Sequence, residues 1–289
     1  MEAISLVAIA LIAITFAIIA ITKISPTFVL VTSNVAVFVI TAFWYGDMIN
    51  PATYDLCFSG SSFFEEPWRI ITSMFMHSGI EHLLFNMIFL VVIGIPLETR
   101  MGRWRFVSVY VTGGMIGSAV FAIVDGSSLL AVGASGAISA LMGAMIMLYP
   151  REKIMFFLGP ILTNRFKVWV PILVWFGMQL FLFVFDSGSL TAYSAHLGGF
   201  AGGAAVAWMI RPRGFGQRGS LKKHDISALK QLCVTAALKE RYEYAENARD
   251  DETRKMWIES ILGIVRCPEC GSEIKAKGKG FRCANGHEL

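Results

Sequence analysis

Five residues carry the chemistry that the sequence offers inside otherwise apolar stretches: His82, Asn86, Ser135, Gln179 and His196. Each costs several kcal/mol in hydrocarbon unless a partner or water meets it. A lone serine is weak evidence, because serine often packs helices or bonds back to the preceding turn. Two histidines and an asparagine are harder to dismiss. Ser135 stands in Gly133-Ala134-Ser135-Gly136, where small neighbours leave its Oγ open to approach and a helix start leaves N–H groups without intrahelical partners. Such N–H groups favour a developing anion. With a histidine from another segment, this is the minimum equipment for nucleophilic acyl transfer: the histidine takes the serine proton and returns it to the leaving amine. His82 and Asn86, one turn apart on one helix face, could donate to the tetrahedral oxyanion. The soluble-hydrolase elbow G-x-S-x-G is absent, since position 137 is alanine, and no acid lies at a matching position.

The elements that must hold these residues are membrane helices. Only 16% of the 289 residues are charged and 55% are hydrophobic, whereas a soluble domain carries about a quarter charged. That excludes a soluble single-domain enzyme. A spanning helix needs roughly 20 apolar residues to cross about 30 Å of hydrocarbon, and seven segments qualify: 3–22, 27–45, 80–98, 104–124, 131–149, 167–186 and 192–210. The first begins at Glu2 without Lys or Arg and exceeds a secretory h-region, so it is expected to be retained. Lys23, Arg100, Arg103, Arg105, Arg151, Lys153, Arg165, Lys167, Arg211, Arg213, Arg218, Lys222 and Lys223 fall in one alternate set of connections, and Arg69 alone falls in the other. The positive-inside rule then puts the N-terminus outside, the C-terminal tail in the cytosol and the loop from Gly46 to about Ile80 outside. The net charge of +4 thereby records topology, and nucleic acid is not an expected partner.

The same cations serve as rulers. At 1.5 Å per residue, Ser135 lies about 24 Å above Arg151, His196 about 22 Å above Arg211, and Asn86 and His82 about 21 and 27 Å above Arg100. All four sit at one level, several ångströms below the outer surface.

Taken together, Gly133-Ala134-Ser135-Gly136, His82-Leu83-Leu84-Phe85-Asn86 and Ala195-His196 with Gly199 and Gly203 resemble the three signature motifs of rhomboid intramembrane serine proteases. The resemblance covers residues from about 27 to 210 and extends to Trp68-Arg69 and to Gly94, Glu98 and Gly102. It implies an all-α polytopic membrane protein with a six-helix core, here preceded by one extra helix to give seven spans. It also implies Ser135 as nucleophile, His196 as general base and acid without an acidic third member, and His82, Asn86 and the Ser135 N–H as oxyanion hole. The substrates it implies are transmembrane segments of other proteins, cut near their outer end. A gate is implied between the third and sixth spans, with Phe85 on one side and Trp175 or Phe176 on the other. Some relatives place an aromatic one turn after the nucleophile, against the histidine; Ser139 stands there in this chain, so the ring is expected to be held less firmly.

Gly113, Gly114, Gly117, Gly199 and Gly203 read as helix-packing surfaces, Gln179 as an interhelical hydrogen bonder, and Glu98 as a structural cap. His77 and His82 are close enough to suggest a metal, but no third ligand has suitable spacing. The tail carries Cys267, Cys270, Cys283 and His287 as C-x2-C-x12-C-x3-H. This Cys3His set resembles a zinc ribbon, against the alternative of an oxidised pair, which a reducing cytosol disfavours. Cys57 and Cys233 have no evident partner. The expected organisation is an extra helix over 1–25, a rhomboid-like core over 26–212, a basic linker and helical segment over 213–265, and a ribbon over 266–289. Ile226, Leu229, Leu232, Cys233 and Ala236 should share one face, with a break between Ala245 and Arg254. Catalysis needs no cofactor on this reading, the zinc being structural. The lipid bilayer, transmembrane substrates and a cytosolic protein that docks on the tail are the expected partners.

Overall fold

Glycine and proline punctuate the apolar runs. In the computed structural model, which describes residues 1–47, 50–126, 129–153, 156–158, 161–163, 166–186, 191–211, 226–248, 251–277 and 280–289, the first run forms α1 (Ala3–Ile21). The second forms α2 (Pro26–Tyr45), opened by Pro26 and closed by Gly46 at φ +68°. The loop that follows folds into α3 (Pro51–Leu56), α4 (Ser62–Glu65) and α5 (Arg69–Thr72). Then come α6 (Ile80–Met101) and α7 (Arg103–Val124), parted only by Gly102 at φ +81°. After α8 (Ser135–Leu148), the strands β1 (Phe156–Leu158) and β2 (Ile161–Thr163) pair antiparallel. The unit ends with α9 (Trp169–Phe185) and α10 (Tyr193–Met209). The basic linker expected over 213–223, and Arg165, lie outside the described residues.

Seven helices thus occupy the seven expected segments, but not at equal length. α1, α2, α6 and α7 are long and apolar enough to cross a membrane, whereas α8 has 14 residues and α9 and α10 have 17 each. The fifth segment was expected from residue 131; it begins instead at Ser135, because Gly133 turns through φ +114°. Fourteen residues reach only about 21 Å, so α8 stops short of the roughly 30 Å that a full span covers.

Apolar helices gain little from burying apolar surface against one another in lipid, so small residues and polar clamps hold them. α10 packs backbone to backbone between α7 and α8. A side chain at Gly113 would strike Ala140, one at Gly199 the Gly136 carbonyl and one at Gly203 the Ala140 carbonyl. The glycines expected as packing surfaces therefore lie at these helix crossings. α1 joins the core through clamps at both ends. Asp55, in α3, accepts from the Glu2 N–H and the Ser5 hydroxyl, both at 2.7 Å, while the Arg103 guanidinium donates to the carbonyls of Ile19 and Thr22. Glu98 caps as expected: its Oε2 accepts from Ser25 Oγ (2.6 Å), Thr27 N (3.0 Å) and Thr27 Oγ1 (2.7 Å), at the start of α2.

Residues 212–289 form a second unit. It contains α11 (Ser227–Leu232), α12 (Ala236–Asn247), α13 (Asp251–Leu262) and the hairpin β3 (Ile274–Lys277) and β4 (Gly280–Cys283), with Ile274 opposite Cys283. Ile226, Leu229 and Cys233 are buried as expected, but Ala236 is exposed. The reason is a second break: Thr235 accepts from Leu238 N at 3.2 Å and caps a new helix, which turns Leu238 inward in place of Ala236.

Candidate active site

The segment leading into α8 is fixed by the loop between α2 and α6. Phe58 and Ala131 exchange backbone hydrogen bonds at 3.0 and 2.7 Å, and Gly133 N donates to Ser73 O at 2.9 Å. Ser135 is the first residue of α8, and no side chain caps that end, so the leading N–H groups are free of helical partners. α10 approaches so closely at Gly199 that His196, one turn earlier, reaches across. Its Nε2 lies 2.7 Å from Ser135 Oγ. Its Nδ1 lies 2.7 Å from Gln179 Oε1 on α9, and the Trp175 and Tyr193 rings flank it with centroids at 6.1 and 6.5 Å.

The other residues singled out by their sequence positions surround this pair. A Cβ built on Gly133 would lie 2.7 Å from His82 Nε2 and 3.8 Å from Asn86 Nδ2, so both side chains face the backbone just before Ser135. Asn86 Nδ2 donates to His82 O at 2.8 Å, which leaves the second amide hydrogen for another acceptor. Ser78 Oγ and His82 Nδ1 are 3.1 Å apart, so His82 turns Nε2 toward the site. Phe85 is exposed on α6. On α9, Trp175 is the aromatic beside His196, while Phe176 packs on Phe200 with centroids 4.6 Å apart. His77 and His82 have ring centroids 5.1 Å apart, and among the described residues no third metal-ligand group joins them.

The expectation of a loosely held histidine is corrected by the structure. The Ser139 hydroxyl turns back along α8 and donates to Ser135 O at 2.6 Å. The ring is instead held by Gln179, expected from the sequence as an interhelical hydrogen bonder with no partner named. The signal was there: Gln179 is the amide of α9, on a helix that among its residues buries only Ile172 and Gln179.

The second cluster lies in the tail. One ligand atom from each of Cys267, Cys270, Cys283 and His287 falls within 4.8 Å of every other. Cys270 Sγ is 3.6 Å from Cys283 Sγ, and Cys267 Sγ is 3.6 Å from His287 Nδ1. A tetrahedral zinc ion with sulfur and nitrogen ligands has edges of about 3.6–3.8 Å, so two of the six donor pairs already stand at such an edge and the set is of the type that zinc takes. All five cysteines are free. The turns after Cys270 and before His287 use Gly271 (φ +70°) and Gly286 (φ +93°). His287 N donates to Cys283 Sγ at 3.3 Å, and His287 Nε2 lies 3.4 Å from Glu269, the outer-shell carboxylate usual behind a ligating imidazole. The Ser272 hydroxyl beside Cys270 brings its thiol down to about 6, toward the thiolate that a metal needs.

The family model of the Rhomboid domain matches residues 65–213, which include the loop before α6 from Glu65 onward and every residue of the Ser135 site. The chain belongs to the rhomboid family. It is an all-α polytopic integral membrane protein, and the Cys3His tail and α1 lie outside the rhomboid match. Similarity to individual rhomboids is consistent with this. Mouse Rhomboid-related protein 2 is 34% identical over 193 residues, covering 61% of this chain and 62% of that protein. RHOMBOID-like protein 6, mitochondrial, of Arabidopsis thaliana is 44% identical over 81 residues, 28% of this chain and 26% of that one. Rhomboid protease GluP of Bacillus subtilis (strain 168) is 33% identical over 156 residues, 53% of this chain and 28% of that one. The matches thus span less than two thirds of these rhomboid relatives. Rhomboids need no cofactor for their chemistry and act on transmembrane segments within the bilayer.

Proposed function

We propose that the chain is an intramembrane serine endopeptidase that cuts transmembrane segments of membrane proteins near their outer end. The observation that carries this reading is the 2.7 Å approach of His196 Nε2 to Ser135 Oγ across two helices. Ser135 Oγ attacks the scissile carbonyl while its proton passes to Nε2. The tetrahedral oxyanion meets the Ser135 N–H, free at the start of α8, together with His82 and Asn86, whose donors are fixed before charge develops. Collapse expels the amine with the proton from Nε2 and leaves an ester on Ser135. Water then gives a proton to Nε2, attacks the ester and releases the acid, restoring Ser135.

Phe85 on α6 and Trp175 on α9 serve as the gate, Trp175 being the aromatic next to His196. The distribution of Lys and Arg favours an N-terminus outside, a cytosolic tail and a site in the outer half of the bilayer. The organisation is an extra helix over 1–25, a protease core over 26–212, a linker and helical segment over 213–265 and a ribbon over 266–289. Cys267, Cys270, Cys283 and His287 would hold a structural zinc ion, which when bound ties the two ends of the β3–β4 hairpin together and takes no part in peptide cleavage.

The test is incubation of the detergent-purified protein with a single-span substrate. Cleavage by the wild type that vanishes in Ser135→Ala and in His196→Ala is expected. Equal cleavage by Ser135→Ala overturns the mechanism, and binding of single-span segments without cleavage would mark the chain as a non-proteolytic rhomboid.

A further inference from the structure

The two nitrogens of His196 have different duties. To take the Ser135 proton, Nε2 must carry the lone pair, and in a neutral imidazole this places the ring hydrogen on Nδ1. That hydrogen needs an acceptor in a buried site. Of the groups around the ring, Trp175 offers no acceptor, and the Tyr193 hydroxyl, itself a hydrogen-bonding group, donates to Asp186 at 3.1 Å. Gln179 Oε1 lies 2.7 Å from Nδ1, on a side chain that is itself buried at 6% exposure.

We infer that Gln179 is a positioning residue of the dyad: its carbonyl oxygen accepts from Nδ1–H and thereby fixes both the tautomer and the rotation of the His196 ring toward Ser135. The inference rests on the reading of Ser135 and His196 as nucleophile and base. It also gives a physical reason why no acid is required. In serine proteases with three groups, a buried carboxylate orients the imidazole. Inside a membrane an unpaired carboxylate costs several kcal/mol, whereas a carboxamide presents the same acceptor without the charge. The amide gives up the charge stabilisation of imidazolium that a carboxylate would add, and keeps the geometry.

Two readouts test this in the full-length protein in detergent micelles. The first is nitrogen NMR of ring-labelled histidine, with the His196 signals assigned by their loss in His196→Ala. The wild type is expected to carry its hydrogen on Nδ1, Gln179→Leu to lose that preference, and Gln179→Glu to keep it. The second is cleavage of a single-span substrate. Gln179→Leu is expected to lower kcat about 10- to 100-fold, by analogy with the loss of the outer-shell partner of a metal-bound histidine, with KM unchanged. Gln179→Glu is expected to recover most of the rate. A merely structural role would lower the melting temperature without moving the tautomer. Hydrogen on Nε2 in the wild type, or Gln179→Leu with the wild-type tautomer and kcat, overturns the inference. If the wild type cleaves nothing while its tautomer still depends on Gln179, the protease reading fails and the positioning contact stands.

Discussion

Gly117 lies in α7, which contributes no residue to the proposed chemistry, and yet replacing it should disable the site. A Cβ built there falls 2.7 Å from the Ala195 carbonyl oxygen and 3.3 Å from Gly199 Cα. Ordinary van der Waals contact begins near 3.4 Å, so Gly117→Ala must push the Ala195 carbonyl back by about 0.7 Å. The next residue is His196. Because α10 is at backbone contact with α8 on its other side, at Gly136 and Ala140, the strain cannot be relieved by sliding α10 freely; it tilts the turn that carries the imidazole. A misplacement of about 1 Å in a catalytic group costs on the order of 100-fold, so kcat should fall about 10- to 100-fold. Overpacking of this size also lowers stability by about 1–3 kcal/mol, which leaves the protein folded. The control is Gly177→Ala in α9, where nothing lies within 4 Å of the added Cβ. It should keep full activity and gain up to about 1 kcal/mol from helix propensity. Cleavage of a single-span substrate and thermal unfolding in the same micelles check both variants. Gly117→Ala with wild-type kcat would show that α10 is not wedged as the geometry requires.

Other perturbations have equally definite outcomes. Asn86→Ala removes one oxyanion donor and should cost about 100- to 1,000-fold in kcat, less than Ser135→Ala; activity as low as that of Ser135→Ala would mean that Asn86 also holds His82 in place through their 2.8 Å bond. Glu98→Gln weakens three hydrogen bonds of 2.6–3.0 Å between α6 and α2 and should lower stability by about 1–3 kcal/mol, read as a fall in melting temperature with kcat unchanged in the folded fraction. Elemental analysis of reduced protein should find about one zinc per chain, lost in Cys283→Ser; a metal-free reduced preparation removes the zinc assignment.

What the sequence could reveal followed from features that act along the helix axis. The cations at the helix ends, used as rulers, gave Ser135, His196, His82 and Asn86 a common depth, and the structure places these four side chains around one point. Glycine flanking gave the helix start at Ser135, although not the loss of the turn before it, because the φ of Gly133 depends on its tie to Ser73. Rotation about the axis was not legible. Trp175 and Phe176 are about 100° apart on a helix, and nothing in the pattern of a helix apolar on nearly all sides says which faces His196. The partner of Gln179 was hidden for the same reason. In the tail, the missing information was a single Thr235 side chain, which caps where the hydrophobic repeat alone would continue.

The rotation of each helix is decided by contacts that the hydrophobic effect does not supply in lipid. Gly113, Gly117, Gly199 and Gly203 bring backbones together, and that closeness restricts the azimuth: a turn of α10 that brought Phe200 and Ala204 to those places would put a side chain into the Gly136 and Ala140 carbonyls. Polar clamps then fix the ends: Glu98 on the start of α2, Arg103 on the last carbonyls of α1, and Asp55 on its first residues. On this view α1 is bolted to the core by charge at both ends and by the Thr15–Ser33 bond of 2.6 Å in between. α9 is held at its start by Val168 N on Glu152 O (2.7 Å), at its end by the Tyr193 hydroxyl on Asp186 (3.1 Å), and between them by Phe176 on Phe200 and Gln179 on His196. One helix thus carries both the aromatic beside His196 and the amide bonded to its Nδ1, so the rotation of α9 sets both contacts at once.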